Sequence, residues 1–440
     1  MIDIRLVREE PDAVKAALGR RAVDPADVDR LVELDAAARS LVGRRDDVRA
    51  EVKALSRRVG EARRSGDTTT ADELAARSRS LGEEERALGE DADRAQDAVR
   101  QALLYLPNLP AEDAPDGAGP EDNVVVRQWP DEAPTYAEWQ RVAHWDIGTE
   151  LGLLDMERGA KISGSMFPLF RGYGARLLRA LTSYALDRHA DAFEEIRPPT
   201  LVKTETMVTT GQLPKFADDA YHLERDDLWA IPTAEAPLTS MMRGEIVDED
   251  RLPLCLTAAT ACFRREAGAA GRDTRGLLRV HEFDKVELFA VATPEQASEL
   301  LESMVARVET MLRQLGLRYR VLDLCAGDLG ISSARTFDLE VYAPGVDLWL
   351  EVSSVSWFRD YQARRGNIRI RPAGGGAPIF AHTLNGSALA WARIWAALVE
   401  TGRRADGSVE LPEVLHPYLR GEGVIPAPGA SGQAPAASKR

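Results

Sequence analysis

Cysteine is scarce in this chain. Its 440 residues hold three, Cys255, Cys262 and Cys325. The number is odd and no pair has CxxC spacing. Neither a disulfide framework nor a cysteine zinc site is expected, and a reducing cytoplasm suits the pattern. Long apolar runs are missing too, so no membrane span is expected. The first residues, Met-Ile-Asp-Ile-Arg-Leu-Val-Arg-Glu-Glu, contain no apolar h-region, and no signal peptide is expected. There is no P-loop, no nucleophile elbow and no zinc-ligand pair. Positive charge is in deficit: the net charge of −15 argues against a protein that coats nucleic acid with its whole surface, and no DNA partner is expected. A local basic patch stays compatible with that balance. What remains is an ordinary soluble composition, 44% hydrophobic and 29% charged, in a chain long enough for two or three domains.

The clearest periodicity lies near the N-terminus. After a short helical lead-in over 1–24, Leu31, Ala38, Arg45, Val52 and Val59 fall seven apart. Leu34, Leu41, Val48, Leu55 and Ala62 follow at an offset of three. This is an a/d seam. It stops at Ser65-Gly66-Asp67. A second seam, Leu74, Leu81, Leu88, Ala95 and Ala102 with Ser78, Glu85, Ala92, Val99 and Leu106, starts after the N-cap hydroxyls of Thr68–Thr70 and ends at Pro107. Two such helices predict an antiparallel coiled-coil hairpin reaching on the order of 50 Å. The first helix is basic toward its far end (Arg44, Arg45, Arg49, Lys53, Arg57, Arg58, Arg63, Arg64) and the second is acidic. Inter-helix pairing would explain that, and so would an arm whose basic helix meets RNA phosphates. Dimerisation through the coiled coil is the structural alternative. Residues 107–124 read as a linker by their Pro, Gly and Asp content, 125–420 as the catalytic domain, and 421–440 as a low-complexity, disordered tail.

Within the large domain, residues 262–287 carry the most chemistry. Two strand patterns flank a loop bearing Gly268, Gly271, Arg272, Arg275 and Arg279. Alternation puts Cys262, Arg264 and Glu266 on one side of the first strand, and His281, Phe283, Lys285 and Glu287 on one side of the second. Such a hairpin offers a guanidinium fork for phosphate, an aromatic ring for a base, and carboxylates for an ammonium or a metal. Upstream, Gly172 to Ala192 reads as an amphipathic helix running into Phe193-Glu-Glu-Ile-Arg-Pro-Pro. Ile231-Pro-Thr233-Ala-Glu235 ends a strand with a hydroxyl beside a carboxylate. Downstream come a helix over Pro294–Leu315 and strands over 319–324, 337–342 and 348–354. The Glu340 and Glu351 carboxylates on these strands are candidates to meet nucleotide phosphates through Mg2+. Finally Phe380–Leu384 reads as a strand, Asn385-Gly386-Ser387 as a turn, and the following apolar segment as a helix holding Arg393, a charge that needs a partner.

Phe-Arg-x-Glu, the Gly-Arg-Asp-Thr-Arg-Gly loop and His-x-Phe-Asp-Lys-Val-Glu, taken in order, resemble motif 2 of class II aminoacyl-tRNA synthetases in the form used by seryl-tRNA synthetases. The Gly172–Pro199 segment resembles motif 1, 380–400 resembles motif 3, and Thr-Gly-Gln-Leu-Pro-Lys-Phe at 210–216 is a loop of the same family. The resemblance covers nearly the whole chain. It implies an α+β fold: a long antiparallel coiled-coil hairpin, then a catalytic domain built on a six-stranded antiparallel sheet with a seventh strand and flanking helices. It implies a homodimer in which the arm of one subunit grips tRNA bound at the other. It implies serine bound by Thr233, Glu235, Arg264, Glu287 and Ser387. For ATP it implies Arg264 on the α-phosphate, with Glu266, Val280 along the nucleotide, Phe283 on adenine, Glu351, Val352, Ser353 and Ser354, and Arg393 on the γ-phosphate. Arg264 and Arg393 would be the catalytic pair and Glu351 the Mg2+ ligand. The reaction implied is ATP-dependent activation of L-serine and its transfer to tRNA(Ser), with tRNA(Sec) left open as a second acceptor.

The chain also departs from the usual pattern. Ala388 and Ala392 stand where glycines often stand in motif 3, Trp391 is large for its place, and Val355 and Trp357 replace a common Cys and Asn. These departures leave a specialised paralogue, serving a biosynthetic pathway or antibiotic self-resistance, as an alternative to a housekeeping serine–tRNA ligase. Two other classes stand beside it: a synthetase-like enzyme that loads an amino acid onto a carrier protein, and a catalytically dead RNA-binding regulator, against which the presence of Arg264, Glu266 and Arg393 argues.

Overall fold

Two aspartates start the two long helices. Asp24 accepts from the Ala26 amide at 2.9 Å and Asp67 from the Thr70 amide at 3.1 Å. Helices α1 (Ile4–Glu9), α2 (Pro11–Gly19), α3 (Pro25–Ser65) and α4 (Thr68–Tyr105) make up a first unit, Met1–Leu109. The cap of α4 is therefore Asp67, one residue before the threonines expected to supply it; a carboxylate at that place also suits the positive end of the helix. Gly66, at φ +82°, closes α3 in the left-handed conformation that glycine adopts without penalty. The heptad positions of both helices are buried or half-buried, with Leu31, Ala38, Leu55, Leu88 and Ala92 fully so. Only Arg49–Glu85 and Arg77–Glu51, each 2.6 Å, join α3 to α4 by charge among the described residues. Among the described residues Arg57, Arg58, Arg63 and Arg64 are exposed and carry no ion pair, so inter-helix pairing does not account for the basic end of the arm.

The protein is described here from a computed structural model covering residues 1–267 and 274–429. The predicted loop residues Gly268, Gly271 and Arg272, and the tail from 430, lie outside the described residues. The second unit, from Pro110 onward, contains α5 (His144–Glu150), α6 (Tyr173–His189), α7 (Glu235–Ser240), α8 (Ala297–Gln314), α9 (Tyr361–Gly366) and α10 (Trp391–Thr401). Its sheet strands are β1 (Val124–Trp129), β2 (Glu194–Glu195), β3 (Leu254–Phe263), β4 (Glu282–Ala292), β5 (Tyr319–Asp323), β6 (Arg335–Ala343), β7 (Leu348–Trp357) and β8 (His382–Ala390). They form one eight-stranded sheet in the order β1-β5-β6-β7-β8-β4-β3-β2. Every pairing is antiparallel except β2 with β3, where the chain enters from α6. The sheet is thus wider than the expected six plus one, because the segment after the linker adds β1 at one edge.

One sheet face builds the core and the other builds the site. On β4, Val286, Leu288 and Ala290 pack with Leu177, Leu181, Met304, Val308 and Trp395 of the covering helices. The alternate residues Phe283, Lys285 and Glu287 point to the opposite face. Burying the apolar face is what holds the sheet flat enough to present the other.

Three expectations change in detail. Asn385-Gly386-Ser387 is not a turn: it lies inside β8, and a Cβ on Gly386 would meet Val355 at 3.0 Å, so the glycine serves close strand approach. The linker is not loose beyond Pro110. Ala111 N donates to Ala334 O at 2.7 Å and Ala326 N to Pro115 O at 2.8 Å, and Ala111 and Ala114 are buried. The tail is ordered to 429: Val424–Ile425 pairs with Val409–Glu410, and Ile425 enters the core, which pulls the segment down. Among the described residues, no helix is long and apolar enough to cross a membrane, and all three cysteines are free.

Candidate active site

The β3–β4 hairpin keeps its register up to Phe263↔Glu282 and one step further, where Arg264 N donates to His281 O at 2.9 Å. Past that point alternation fails. Glu266 sits at φ +52°, which turns it back so that it pairs with Arg279 and still lines the same cavity as Arg264. His281 does not share the cavity wall with Phe283, as alternation would have it. Its Nδ1 donates to Arg264 O at 2.9 Å and its ring lies 5.2 Å from Phe167. The Arg264 guanidinium stands 5.3 Å from the Phe283 ring centroid and makes no ion pair among the described residues. An exposed fork with no protein anion beside it is an open anion site.

Two adjoining cavities share Arg264, Lys285, Glu351 and Ser387. The first, about 180 Å³, is walled by Val280, Phe283 and Ala392 on its apolar side and by Glu351 and Arg393 on its polar side. Arg393 Nη1 donates to the Glu351 carbonyl at 2.7 Å and its Nε to Leu278 O at 3.3 Å. The helix charge thus rests on two carbonyls with no ion pair closer than the 3.8 Å to the Glu351 carboxylate. The second cavity, about 310 Å³, is walled by Thr233, Glu235, Ser354 and Asn385.

The floor of the second cavity is a buried polar network. Thr233 Oγ1 donates to Glu287 Oε2 at 2.9 Å, Lys285 Nζ donates to Thr233 Oγ1 at 2.8 Å and pairs with Glu287, and Asn385 Nδ2 donates to Glu287 Oε1 at 3.0 Å. Gln362 Nε2 donates to Glu235 Oε1 at 2.5 Å, while Thr383 Oγ1 donates to Gln362 Oε1 at 2.7 Å. Burial, with the Glu287 charge second, pushes the Glu235 carboxyl up to about 7. Glu287 itself touches neither cavity and is fully buried; it acts through Thr233, Lys285 and Asn385.

A bulge places the serines. Between the pairs Leu339↔Ser353 and Glu340↔Glu351, β7 carries one extra residue. Leu350 and Val352 face the core before it, and Val355 after it. Ser354 is thereby turned toward the second cavity, while the Ser353 hydroxyl is taken up by Ser387 O at 2.6 Å. Ser353 therefore offers its backbone rather than its hydroxyl. Of the two candidate acids, Glu340 is held by Arg320 at 2.5 Å, and Glu351 alone lines the cavities. Across from Ser354, Asp338 has a buried Oδ1 with no hydrogen-bond partner among the described residues, and burial beside the Glu351 charge raises its carboxyl well above the usual range.

Thirteen sequence-predicted residues thus converge: Thr233, Glu235, Arg264, Glu266, Val280, Phe283, Glu287, Glu351, Val352, Ser353, Ser354, Ser387 and Arg393 line the two cavities or, for Glu287, support their floor. Missed by that reading were Asn385, Gln362, Thr383 and His144. Asn385 sat within the quoted motif, and its amide type was the available signal. The others come from separate elements and had none.

Free anion fork, apolar slot and acidic ammonium-sized floor, on the open face of an antiparallel sheet, define a class II aminoacyl-tRNA synthetase. The comparisons carry this further. The class II core domain model for the glycine, histidine, proline, serine and threonine enzymes matches residues 220–402, and the seryl-tRNA synthetase N-terminal domain model matches 1–110. The serine–tRNA ligase of Gemmatimonas aurantiaca is 49% identical over 424 residues, 95% of this chain and 99% of that protein. That of Kosmotoga olearia is 46% identical over 421 residues, with 95% and 99% covered. The crystal structure of seryl-tRNA synthetase from Pyrococcus horikoshii complexed with ATP superposes with a TM-score of 0.90 at 34% identity, covering 97% of this chain and all of that one. The chain belongs to the seryl-tRNA synthetase family.

Proposed function

We propose that this protein is a serine–tRNA ligase that activates L-serine with ATP and transfers it to tRNA(Ser). The observation that carries this reading is the pair of cavities meeting at Arg264, Lys285, Glu351 and Ser387: the first has an apolar wall of Val280 and Phe283 facing Arg393, which supports a nucleotide there, and the second is lined by Thr233, Glu235 and Asn385, which supports a small hydroxylated amino acid. The matching relatives are full-length serine–tRNA ligases, which leaves the carrier-loading reading and the specialised-paralogue reading without support.

Each group then has a task. Phe283 and Val280 take the adenine and ribose face, Arg393 the γ-phosphate, and the unpaired Arg264 fork the α-phosphate and the serine carboxylate. Glu235 and Thr233 hold the ammonium. Asn385 and Ser387 read the hydroxyl, and Glu287 orients Asn385 and Thr233 from beneath the floor. The serine carboxylate oxygen attacks the α-phosphorus, an O–P bond forms, and pyrophosphate leaves. A ribose hydroxyl of the tRNA then attacks the serine carbonyl carbon, and AMP leaves. Arg264 stabilises charge that grows on the α-phosphate, and the remainder is positioning.

Mg2+ fits the donor set. Glu351 lines both cavities, Ser354 lines the second, and Asp338, across the strand pair from Ser354, has a buried oxygen with no hydrogen-bond partner among the described residues; all three are hard oxygen donors. Among the described residues, no cluster of three or more acidic, histidine or cysteine side chains could hold a metal alone, so nucleotide phosphates and water would complete the shell. The ion would supply charge neutralisation on the phosphates.

The unpaired arginines of α3 support tRNA binding by the arm. Three neighbouring valines on edge strand β1, 42–48% exposed, support a homodimer through that edge. The free cysteines suit a cytoplasmic enzyme. Pyrophosphate exchange with each of the common amino acids, with and without tRNA, tests the reading. Exchange with serine alone, and charging of tRNA(Ser), is expected; tRNA(Sec) belongs in the same charging assay. Stronger exchange with another amino acid would overturn the specificity.

A further inference from the structure

Lys285 brings a positive charge to the place where a substrate's cation would be sought. It is 5% exposed, donates to Thr233 Oγ1 at 2.8 Å and pairs with the fully buried Glu287. Both Glu287 oxygens are engaged, Oε2 by Thr233 and Lys285, Oε1 by Asn385. Glu235 differs: Gln362 takes Oε1, and among the described residues Oε2 makes no hydrogen bond. The floor therefore holds two carboxylates against one lysine, and its open negative charge lies on Glu235. Arg264, the other cation lining this cavity, faces the carboxylate and phosphate end.

Without Lys285, the buried Glu287 carboxylate under the cavity floor would favour an amino acid with a β-ammonium over one with a β-hydroxyl, because a desolvated charge gains more from an opposite charge than from a neutral donor. With Lys285 in place that carboxylate is already neutralised, and a second substrate cation would meet Lys285 at like charge. We propose that Lys285 is a specificity-determining positioning residue: by neutralising Glu287 and setting its own charge in the cavity wall it excludes amino acids carrying a β-ammonium, such as 2,3-diaminopropionate, and leaves a neutral hydroxyl to be read by Asn385 and Ser387. The inference rests on the serine reading of this same site. It differs from an ordinary structural ion pair in its outcome, since a structural pair changes all substrates alike.

The test uses full-length protein and pyrophosphate exchange with L-serine and L-2,3-diaminopropionate, at pH ~7.5, where the β-amine of the latter carries its proton and Glu235 keeps its charge. The native enzyme is expected to exchange with serine and reject the diamino acid. Lys285→Met is expected to raise the serine KM roughly tenfold, with kcat changed far less, and to raise the diaminopropionate-to-serine ratio of kcat/KM by about a hundredfold. Lys285→Arg is expected to keep the rejection. An unchanged ratio in Lys285→Met overturns the proposal. If that variant does not melt cooperatively, the decision passes to Lys285→Gln, which keeps a hydrogen-bond donor toward Thr233 and Glu287 and removes only the charge. Its diaminopropionate-to-serine ratio of kcat/KM is expected to rise at least about tenfold; an unchanged ratio overturns the proposal. Absence of serine exchange in the native enzyme would instead sink the functional reading itself.

Discussion

His144 Nε2 accepts the Leu277 amide hydrogen at 3.0 Å, and its Nδ1 donates to Glu400 Oε1 at 2.8 Å. A ring nitrogen that accepts from an amide carries no hydrogen, so the tautomer is fixed with the proton on Nδ1. Glu400 also accepts the amides of His144 and Gly345. The three groups pin the point where the motif 2 loop returns to the nucleotide cavity, since Leu277 and Leu278 both line it and Leu278 O accepts from Arg393. His144→Phe keeps the volume and removes the acceptor. It is expected to raise the ATP KM about tenfold, the scale of one buried amide left unpaired, while the serine KM stays within about twofold. Exchange kinetics with each substrate varied in turn decides it, and equal effects on both substrates would refute the assignment.

Arg264 is the group whose loss should cost most. Its guanidinium is free, exposed and seated over Phe283. Arg264→Ala is expected to lower kcat/KM for exchange by roughly 10³-fold, as for loss of a donor aimed at growing charge. Arg264→Lys is expected to recover little, because a point ammonium cannot reproduce the planar fork. Thermal melting should be nearly unchanged for both, since among the described residues the side chain makes no ion pair and lies exposed over the Phe283 ring.

How far the sequence could be read follows from the distance over which each feature is determined. The heptad seams of α3 and α4 are local periodicities, and all their positions proved buried or half-buried. Arg264, Phe283 and Glu287 lie within one hairpin whose register alternation already places. Ser353 and Ser354 are different: which of them faces the site depends on an extra residue between two pairs of β6 and β7, a pairing defect that no alternation rule contains. Gln362 reaches Glu235 from 127 residues away and His144 reaches Leu277 from 133. Nothing local in either segment points to the other. Composition alone reads 110–122 as a linker and does not reveal that it packs down, because one of its two glycines, Gly117, is present for close approach: a Cβ there would meet Cys325 Cβ at 2.7 Å.

Glu235 makes serine binding depend on pH. Burial raises its carboxyl from 4.5 to about 7. Below about 7 it carries a proton and cannot oppose an ammonium, so the serine KM should rise as pH falls through 7 while the ATP KM does not follow. The stability of the empty protein runs the other way. A raised carboxyl favours the fold at acid pH, and that advantage is lost as pH rises from 4.5 to about 7, on the order of 3 kcal/mol. Glu235→Gln should remove both trends: a flat, elevated serine KM and a higher melting temperature than native at pH ~8. A serine KM in the native protein that is flat across that window would rule the assignment out.

Trp391 tests the unusual motif 3. It is fully buried, and its Nε1 has no hydrogen-bond partner among the described residues. Trp391→Phe removes that unmet donor at the expense of some volume, and the two effects oppose. Stability should change by less than about 1.5 kcal/mol, against about 3–5 kcal/mol lost in Trp391→Ala. Chemical denaturation with an unchanged slope would measure both. Ala392, not Trp391, touches the nucleotide cavity, so Trp391→Phe should leave the ATP KM within about twofold of native.

The arm supplies the last separation, between chemistry and transfer. Arg57, Arg58, Arg63 and Arg64 lie exposed near the far end of α3 and hold no ion pair among the described residues. Helix propensity is kept when arginine becomes alanine, so changing all four should leave the fold of the arm intact. Pyrophosphate exchange needs only ATP and serine and is expected to be unchanged. Charging of tRNA(Ser) is expected to fall at least about tenfold, through KM. Each lost phosphate contact removes close to one counterion from the exchange, so the slope of log affinity against log salt should flatten by up to about 3–4 in the fourfold variant. The salt slope distinguishes direct phosphate contact from a disturbed coiled coil. A weaker tRNA complex whose slope equals the native one would mean that these arginines do not touch the RNA backbone, and that the basic end of α3 serves some other surface.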